Sequence, residues 1–274
     1  MMNGKGDLPA KLAAYRSRAK LELSKRYKGY LLEALLYSIH PFVSKTEPVG
    51  KFFILSFPRT GSNHLASLLD SHPMIHCENE LLISRLAQPM RYIQLHASRS
   101  KKKVFGFKLQ AHHLDLQCIA DPGGFIRELF DTGYQIITLS RRNLFRSALS
   151  LLYARDSGRF HYQQGGPGIA YPKIHIDPAE LLERIGWMEA QRERIRQWTR
   201  DLPRLELVYE ADLLDSQSQQ ATVRCVLDFL EVPYHDLSSK FVRMKSDDLS
   251  AFVKNVDEVI AAVSASPYAH YLVE

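Results

Sequence analysis

Residues 52–63 read FFILSFPRTGSN, and this stretch decides the fold. The run FFIL at 52–55 is apolar and rich in residues that favour strands, and it is followed by a turn that contains Pro58 and Gly61. Leucines at positions 65, 68 and 69 then have the spacing of one helix face. The pattern predicts a strand, a tight loop and a helix N-terminus. Such a loop directs backbone N–H groups and the positive end of a helix dipole toward one point, which favours a bound phosphate or sulfate.

The predicted loop has the spacing of a phosphate-binding P-loop but lacks two of its side chains. Ser56 stands where the first glycine of that motif would be, and Gly61 stands where the second would be. Ser62 replaces the lysine, and Asn63 replaces the hydroxyl residue that binds Mg²⁺. We therefore expect the loop to bind an anionic nucleotide without hydrolysing a triphosphate.

Short apolar strands alternate with helices along the rest of the chain. Strands are predicted at 51–57, 104–109, 134–140 and 205–214. Helices are predicted at 8–40, 62–70, 80–97 (with a break at Pro89), 122–131, 143–155, 179–200 and 216–231, and a polar loop at 237–263 leads to a last helix. This alternation predicts an α/β fold, a P-loop-like three-layer α/β/α arrangement around a mainly parallel sheet.

We predict one main domain, residues 49–274, behind a basic helical extension at 1–48. Residues 156–178 are rich in glycine and proline and too long for a simple connection, so they are predicted to be a lid-like substrate loop. Residues 1–50 hold nine Lys/Arg against four Asp/Glu, a large share of the net charge of +6. This basic segment is either a solvated helix face or a contact for anionic lipid or another polyanion.

Cysteine usage and hydropathy indicate in which cellular compartment the protein is found. Cys77, Cys118 and Cys225 are far apart and form no CxxC pattern, which indicates a reducing compartment and argues against structural zinc. We find no run of about 18 apolar residues that would span a membrane. We therefore predict a cytoplasmic protein, peripheral to a membrane surface if the basic helix binds lipid. A nucleic-acid partner is not expected, because the basic residues are not interleaved with aromatic ones on one predicted face.

A second informative segment is TLSRRNLFRSALS at residues 138–150. Arg141 and Arg142 follow a predicted strand, and Ser150 lies two helical turns further on. In a parallel α/β sheet, ligands bind beyond the carboxyl ends of the strands. Two guanidinium groups there, with a hydroxyl on the next helix, predict a second phosphate site.

Together the two segments resemble the sulfotransferases that use 3′-phosphoadenosine 5′-phosphosulfate (PAPS). PRTGSNHLASLLDSHP resembles their 5′-phosphosulfate loop with its helix, and the R-x-N-x₆-S run from Arg141 through Asn143 to Ser150 resembles their 3′-phosphate motif. Five further segments are similar to the bacterial carbohydrate sulfotransferases of the nodulation-factor and trehalose type: HCENELL at 76–82, GFKL at 106–109, SGRFH at 157–161, VYEADLL at 208–214 and DLSAFVKNVDEV at 248–259. The resemblance covers about residues 50–272.

The resemblance implies in-line, metal-free transfer of a sulfuryl group from PAPS to a hydroxyl of a carbohydrate or glycolipid acceptor. It assigns the 5′-phosphosulfate to Arg59, Thr60, Gly61, Ser62 and Asn63. It assigns the 3′-phosphate to Arg141 and Ser150, with Arg142 as the alternative to Arg141, and it suggests that Lys245 reaches the adenosine phosphates. Two alternatives stay open: a P-loop-like nucleotide kinase or NTPase, and a non-catalytic nucleotide-binding protein of the same fold. The oligomeric state, a homodimer included, is not fixed.

The acceptor hydroxyl needs a general base. By its position in HCENELL the resemblance implies Glu80, and Glu78 is the neighbour with which it could be confused. Cytosolic small-molecule sulfotransferases instead use a histidine just after a strand lysine, an arrangement that Lys108 with His112 or His113 could imitate. Lys108 is expected near the transferred sulfuryl group.

The predicted lid opens with three residues that could contact the acceptor or close over the nucleotide: Arg155, Arg159 and His161. The alternative is a solvated loop. Trp187, Trp198 and Tyr209 have spacings that predict core packing.

Overall fold

The computed structural model describes residues 28–38, 47–158, 172–241 and 248–273. Its sheet is formed by five strands: β1 (Gly50–Ser56), β2 (Ile75–Glu80), β3 (Val104–Gln110), β4 (Tyr134–Ser140) and β5 (Arg204–Val208). All pairings are parallel, and the order across the sheet is β2-β3-β1-β4-β5. The predicted α/β fold is confirmed, and the strand that precedes the PRTGSN loop lies at the centre of the sheet.

Nine α-helices accompany this sheet in the described residues between 47 and 273: α1 (Ser62–Asp70), α2 (Pro89–Ala97), α3 (Ala111–Leu116), α4 (Pro122–Asp131), α5 (Leu144–Ser157), α6 (Pro178–Trp198), α7 (Tyr209–Asp212), α8 (Ser216–Phe229) and α9 (Val256–Ser264). Residues 28–38 are also helical. In the part of the chain that the structure covers, no helix combines the length and the apolar character needed to cross a membrane.

Strand β1 is buried on both faces, which explains its continuous apolar run. Phe53 and Leu55 belong to one hydrophobic core, and Phe52 and Ile54 belong to a second core on the other face. Helices α4, α5, α6 and α9 contribute to the first core, whereas α1 and α8 contribute to the second. The three layers follow from this arrangement, because a parallel sheet is stable when helices cover both of its faces.

The prediction of helix over residues 80–97 is wrong in its first half. Residues 75–80 (IHCENE) form the edge strand β2, and helix begins only at Pro89. The segment alternates, since Ile75 and Cys77 are buried and the residues between and after them are not. The carboxylates at positions 78 and 80 interrupt the apolar residues, so the strand alternation was not recognised from the sequence. Glu80 therefore ends a strand rather than beginning a helix.

The predicted strand at 205–214 is also too long. Strand β5 ends at Val208, where the backbone N–H donates to the Asp212 carboxylate at 2.5 Å, and the chain turns at once into α7. This turn brings Tyr209 and Glu210 to the carboxyl edge of the sheet.

Candidate active site

The PRTGSN loop turns from β1 into α1 through two left-handed residues. Arg59 has φ 68° and Gly61 has φ 87°, and positive φ is uncommon for any residue other than glycine. The Thr60 hydroxyl fixes the loop by donating to the Phe57 carbonyl at 3.1 Å. Gly61 is required twice over, because a Cβ there would lie 2.6 Å from the Tyr209 ring. The N-cap of α1 is Gly61, which has no side chain to cap the first turn, and a helix N-terminus favours a bound anion.

The two segments predicted to bind phosphate meet in space. Arg59 donates from Nε and Nη2 to Ser150 Oγ on α5, at 2.9 and 2.8 Å. Arg141 donates from Nη1 to the Arg59 carbonyl oxygen at 3.0 Å. Residues that are far apart in the sequence thus form one cationic corner beside the N-terminus of α1.

The side chains of Arg141 and Arg142 have different surroundings. The Arg141 guanidinium lies over the Tyr209 ring, 4.8 Å from its centroid, and its Nε is 3.3 Å from Glu210 Oε1. Arg142 is exposed, and its backbone N–H donates to Glu210 Oε2 at 2.9 Å. The structure therefore brings the Arg141 side chain to the PRTGSN loop.

A β-bulge places Glu80 opposite Lys108. Glu78 is paired with Phe107, and the register shift lets Glu80, rather than the next residue, pair with Lys108 on β3. Lys108 is buried, its Nζ is 2.9 Å from Glu80 Oε1, and it also donates to Asn63 Oδ1 at the start of α1. A buried ammonium needs such partners, and here they join the predicted base to the predicted sulfate loop.

Among the described residues, two side chains donate to Glu80, and both contact the same oxygen. Gln110 Nε2 donates to Oε1 at 2.6 Å, in addition to the contact of Lys108 with that atom. The other oxygen, Oε2, is 3.8 Å from His113 Nε2, beyond hydrogen-bond reach. One carboxylate oxygen is thus held by the protein, and the side chain as a whole is about one-fifth exposed.

Glu78 lies in a different network. His96 Nδ1 is 2.8 Å from Glu78 Oε1, and His76 Nε2 is 3.6 Å from the same atom. Burial acts to raise the pKa of Glu78, but the histidine hydrogen bonds outweigh it and lower the pKa to about 2. A carboxylate held so firmly in its charged form is a weak proton acceptor near neutral pH.

The two adjacent histidines differ as well. The backbone N–H of Gln110 donates to His113 Nδ1 at 3.4 Å, and burial, with the charges of His112 and Lys108, lowers the pKa of His113 to about 2. His112 packs edge-on against Trp187, and its buried Nδ1 has no hydrogen-bond partner among the described residues. Of the two imidazoles, His113 has the contact with Glu80, whereas burial lowers the pKa of His112 and the Glu80 charge, which is near enough to act on it, opposes this larger effect.

The remaining predicted residues lie elsewhere or outside the described ranges. Arg155 forms ion pairs with Glu180 and with Asp156 near the end of α5. Arg159, His161 and Lys245 fall in segments that the structure does not describe. In the ranges that it does describe, no three or more His, Cys, Asp or Glu side chains are grouped as a metal site would require.

Three residues at the site were not singled out as site residues from the sequence: Gln110, Tyr209 and Glu210. Tyr209 packs partly against the second core, as its spacing predicted, but it also contacts Gly61 and Arg141. Each of the three lies at or just after the end of a strand, a position that could have identified them.

Comparison with known proteins agrees with the motifs. A model described as the sulfotransferase family matches residues 51–154, which include β1 from residue 51, the PRTGSN loop and α5 up to residue 154. Nodulation protein H of Rhizobium tropici is 26% identical over 240 residues, covering 80% of this chain and 92% of that protein. Nodulation protein H of Rhizobium meliloti (strain 1021) is 25% identical over 243 residues, covering 82% and 96%.

Two solved structures are similar at a low level. The sulfotransferase domain from the Synechococcus PCC 7002 olefin synthase has a TM-score of 0.41 and 18% identity, covering 69% of this chain and 76% of that chain. Mouse sulfotransferase SULT7A1 complexed with PAP has a TM-score of 0.40 and 14% identity, covering 73% of this chain and 65% of that chain.

Proposed function

The family match and the two relatives support a sulfotransferase, and we propose that this one takes its sulfuryl group from PAPS and passes it to a hydroxyl of a carbohydrate or glycolipid. The observation that carries the proposal is the contact between Arg59 and Ser150. It joins the two segments that the motif resemblance assigns to the two phosphate-bearing ends of this donor.

The residues at this corner fit the donor. The N-cap of α1 is a glycine, and the loop before the helix contains two left-handed residues, a backbone form that suits an anion. In the proposal, residues 59–63 bind the 5′-phosphosulfate, and Arg141 and Ser150 bind the 3′-phosphate. When bound, PAPS supplies an activated sulfuryl group. Arg59, Arg141 and Lys108 supply the positive charge that a lysine and Mg²⁺ supply at a P-loop.

Glu80 is the proposed general base. Lys108 and Gln110 hold its Oε1, so its Oε2 is the atom that accepts the proton of the acceptor hydroxyl. Lys108 contacts both Glu80 and Asn63, and from there it stabilises negative charge as the sulfuryl group moves. In this proposal Lys108 links the proton acceptor to the sulfate loop.

His113 is proposed to line the site beside Glu80 as a neutral group rather than to accept the proton. Its Nδ1 accepts the Gln110 N–H, so its Nε2 carries the hydrogen and is directed to Glu80 Oε2 across 3.8 Å. Because burial keeps this imidazole neutral, it adds no second positive charge beside Lys108.

Radiolabelled PAPS tests the proposal against a panel of sugars, glycolipids and phenols. We expect label on a sugar or glycolipid and its loss with Arg59→Ala at limiting PAPS. Label only on phenols would refute the acceptor class. Hydrolysis of ATP in Mg²⁺, with no transfer from PAPS, would favour the kinase or NTPase alternative and refute the donor.

A further inference from the structure

The helix at residues 28–38 carries its acidic side chain on the inside. Glu33 is 3% exposed, and its two carboxylate oxygens accept the backbone N–H groups of Ala87 and Gln88 at 2.7 and 2.8 Å. These groups immediately precede α2, so the carboxylate also lies at the positive end of that helix dipole. Tyr37 donates its hydroxyl to Glu33 at 2.7 Å, and Leu36 is buried in the first core. Residues 33–37 therefore fasten the helix to the main domain.

The outward face of the same helix is apolar, the reverse of the usual arrangement. Leu31 is 69% exposed and Leu35, one turn later, is 58% exposed. Tyr30 and Leu32 beside them are also exposed. Ile83 is exposed as well, in the segment next to the docked side of this helix, where Ser84 Cβ would lie 3.1 Å from a Cβ at Gly29. An exposed apolar helix face of this kind is typical of an interaction site.

Positive charge borders this apolar stripe. Lys28 is exposed at one end, and the guanidinium of Arg91, an exposed residue, lies 4.5 Å from the centroid of the Tyr37 ring. The sequence before Lys28 adds seven Lys/Arg against two acids. An apolar helix face flanked by cations fits the interface of a bilayer with anionic lipids, since the apolar face enters the acyl boundary and the cations remain at the headgroups.

We propose that residues 28–38 form a membrane-surface anchor that binds anionic lipid through Leu31 and Leu35. Lipid binding at this face does not rest on the proposed function, because no residue assigned to the donor or the base lies in residues 28–38. Glu33 and Leu36, which hold the helix in place, point away from this face. The two leucines are therefore open to substitution without loss of the contacts that dock the helix.

Co-sedimentation of the full chain with vesicles tests the anchor, using phosphatidylglycerol mixed with phosphatidylcholine against phosphatidylcholine alone. We expect the protein to bind the anionic vesicles, and we expect high salt to weaken this binding. Leu31→Ser with Leu35→Ser should reduce the partition coefficient by at least about tenfold, from the apolar area removed. Leu214→Ser with Val273→Ser, also exposed apolar residues, is the matched control and should bind like the wild type.

Several outcomes would overturn the anchor. These are no binding by the wild type, equal binding to both kinds of vesicle, or equal binding by the leucine variant. A fourth is a lipid-free wild-type dimer that the leucine variant turns into a monomer, because the stripe would then be covered by a second copy of the chain. Cooperative thermal unfolding reports that the variants are folded, and binding of 3′-phosphoadenosine 5′-phosphate (PAP) reports separately on the proposed donor site.

Discussion

Replacing Glu80 by glutamine should remove transfer while leaving donor binding nearly intact. The amide keeps an oxygen that can accept from Lys108 and Gln110, but it presents no carboxylate oxygen to the acceptor hydroxyl. Loss of a general base lowers kcat by about 10²–10⁴-fold. Affinity for PAP should change less than about threefold, because Glu80 belongs to neither phosphate-binding segment. Such a change is well below the tenfold that corresponds to about 1.4 kcal/mol.

The same variant should also be less stable. Lys108 is 2% exposed and loses its charged partner, but it retains Asn63 and the new amide as acceptors. We therefore expect a loss of about 1–3 kcal/mol in the free energy of unfolding, the range for a buried polar group left short of a partner. This is smaller than the cost of a buried charge with no partner at all.

The assay is the initial rate of label transfer from PAPS, with PAP affinity from calorimetry and stability from urea unfolding. Glu78→Gln is the matched control, because that carboxylate is held by His76 and His96 away from Lys108, and it should retain kcat. A Glu80→Gln enzyme with wild-type kcat would refute the base assignment. An equal loss in the control would show that charge at this edge, rather than one base, matters.

Three further variants test other parts of the site. Ser150→Ala should weaken PAP binding about tenfold, the value of one hydrogen bond to a charged group, and Arg142→Ala should change it less than twofold; calorimetry that ranks them in the opposite order would contradict the 3′-phosphate site. Gly61→Ala should lower the free energy of unfolding by about 1–2 kcal/mol because of its positive φ alone, and the clash with Tyr209 should add to this loss and abolish PAP binding. Wild-type values in unfolding and binding assays would contradict the loop geometry. His113 takes up a proton near pH 6.5 in the unfolded chain but only near its pKa of about 2 in the folded one. As pH falls below 6.5, the free energy of unfolding of the wild type should therefore decrease by about 1.4 kcal/mol more per pH unit than that of His113→Asn. Equal pH slopes in urea unfolding would refute burial of a neutral imidazole.

The centre of the fold could be predicted from the sequence because its signals are local. The run FFIL and the following Gly61 determine strand, turn and helix within a dozen residues, and the alternation of strands and helices then indicates a parallel sheet. Strand β2 was missed because it is an edge strand with two carboxylates. Only two of its residues, Ile75 and Cys77, are buried, so the apolar alternation is too brief to recognise.

The candidate site was harder to predict where it depends on register. The different surroundings of Glu78 and Glu80 follow from a bulge that no residue pattern indicates. The different surroundings of Arg141 and Arg142 follow from how one turn meets Glu210. The direction of the leucines at 31 and 35 could not be predicted either. An amphipathic pattern places its charge outward by default, but the backbone N–H groups of residues 87 and 88 hold Glu33 inward.

Thermal unfolding in the presence of nucleotides tests the central claim most directly. The claim is that the corner formed by Arg59 and Ser150 binds a bisphosphorylated adenosine rather than a triphosphate with its metal. At one hundred times its Kd, PAP adds about 2.7 kcal/mol of stability, which for a chain of this size raises Tm by about 5 °C. We predict this rise with PAP, without added Mg²⁺, and little or none with ATP and Mg²⁺. Stabilisation by ATP with Mg²⁺ and none by PAP would contradict the account.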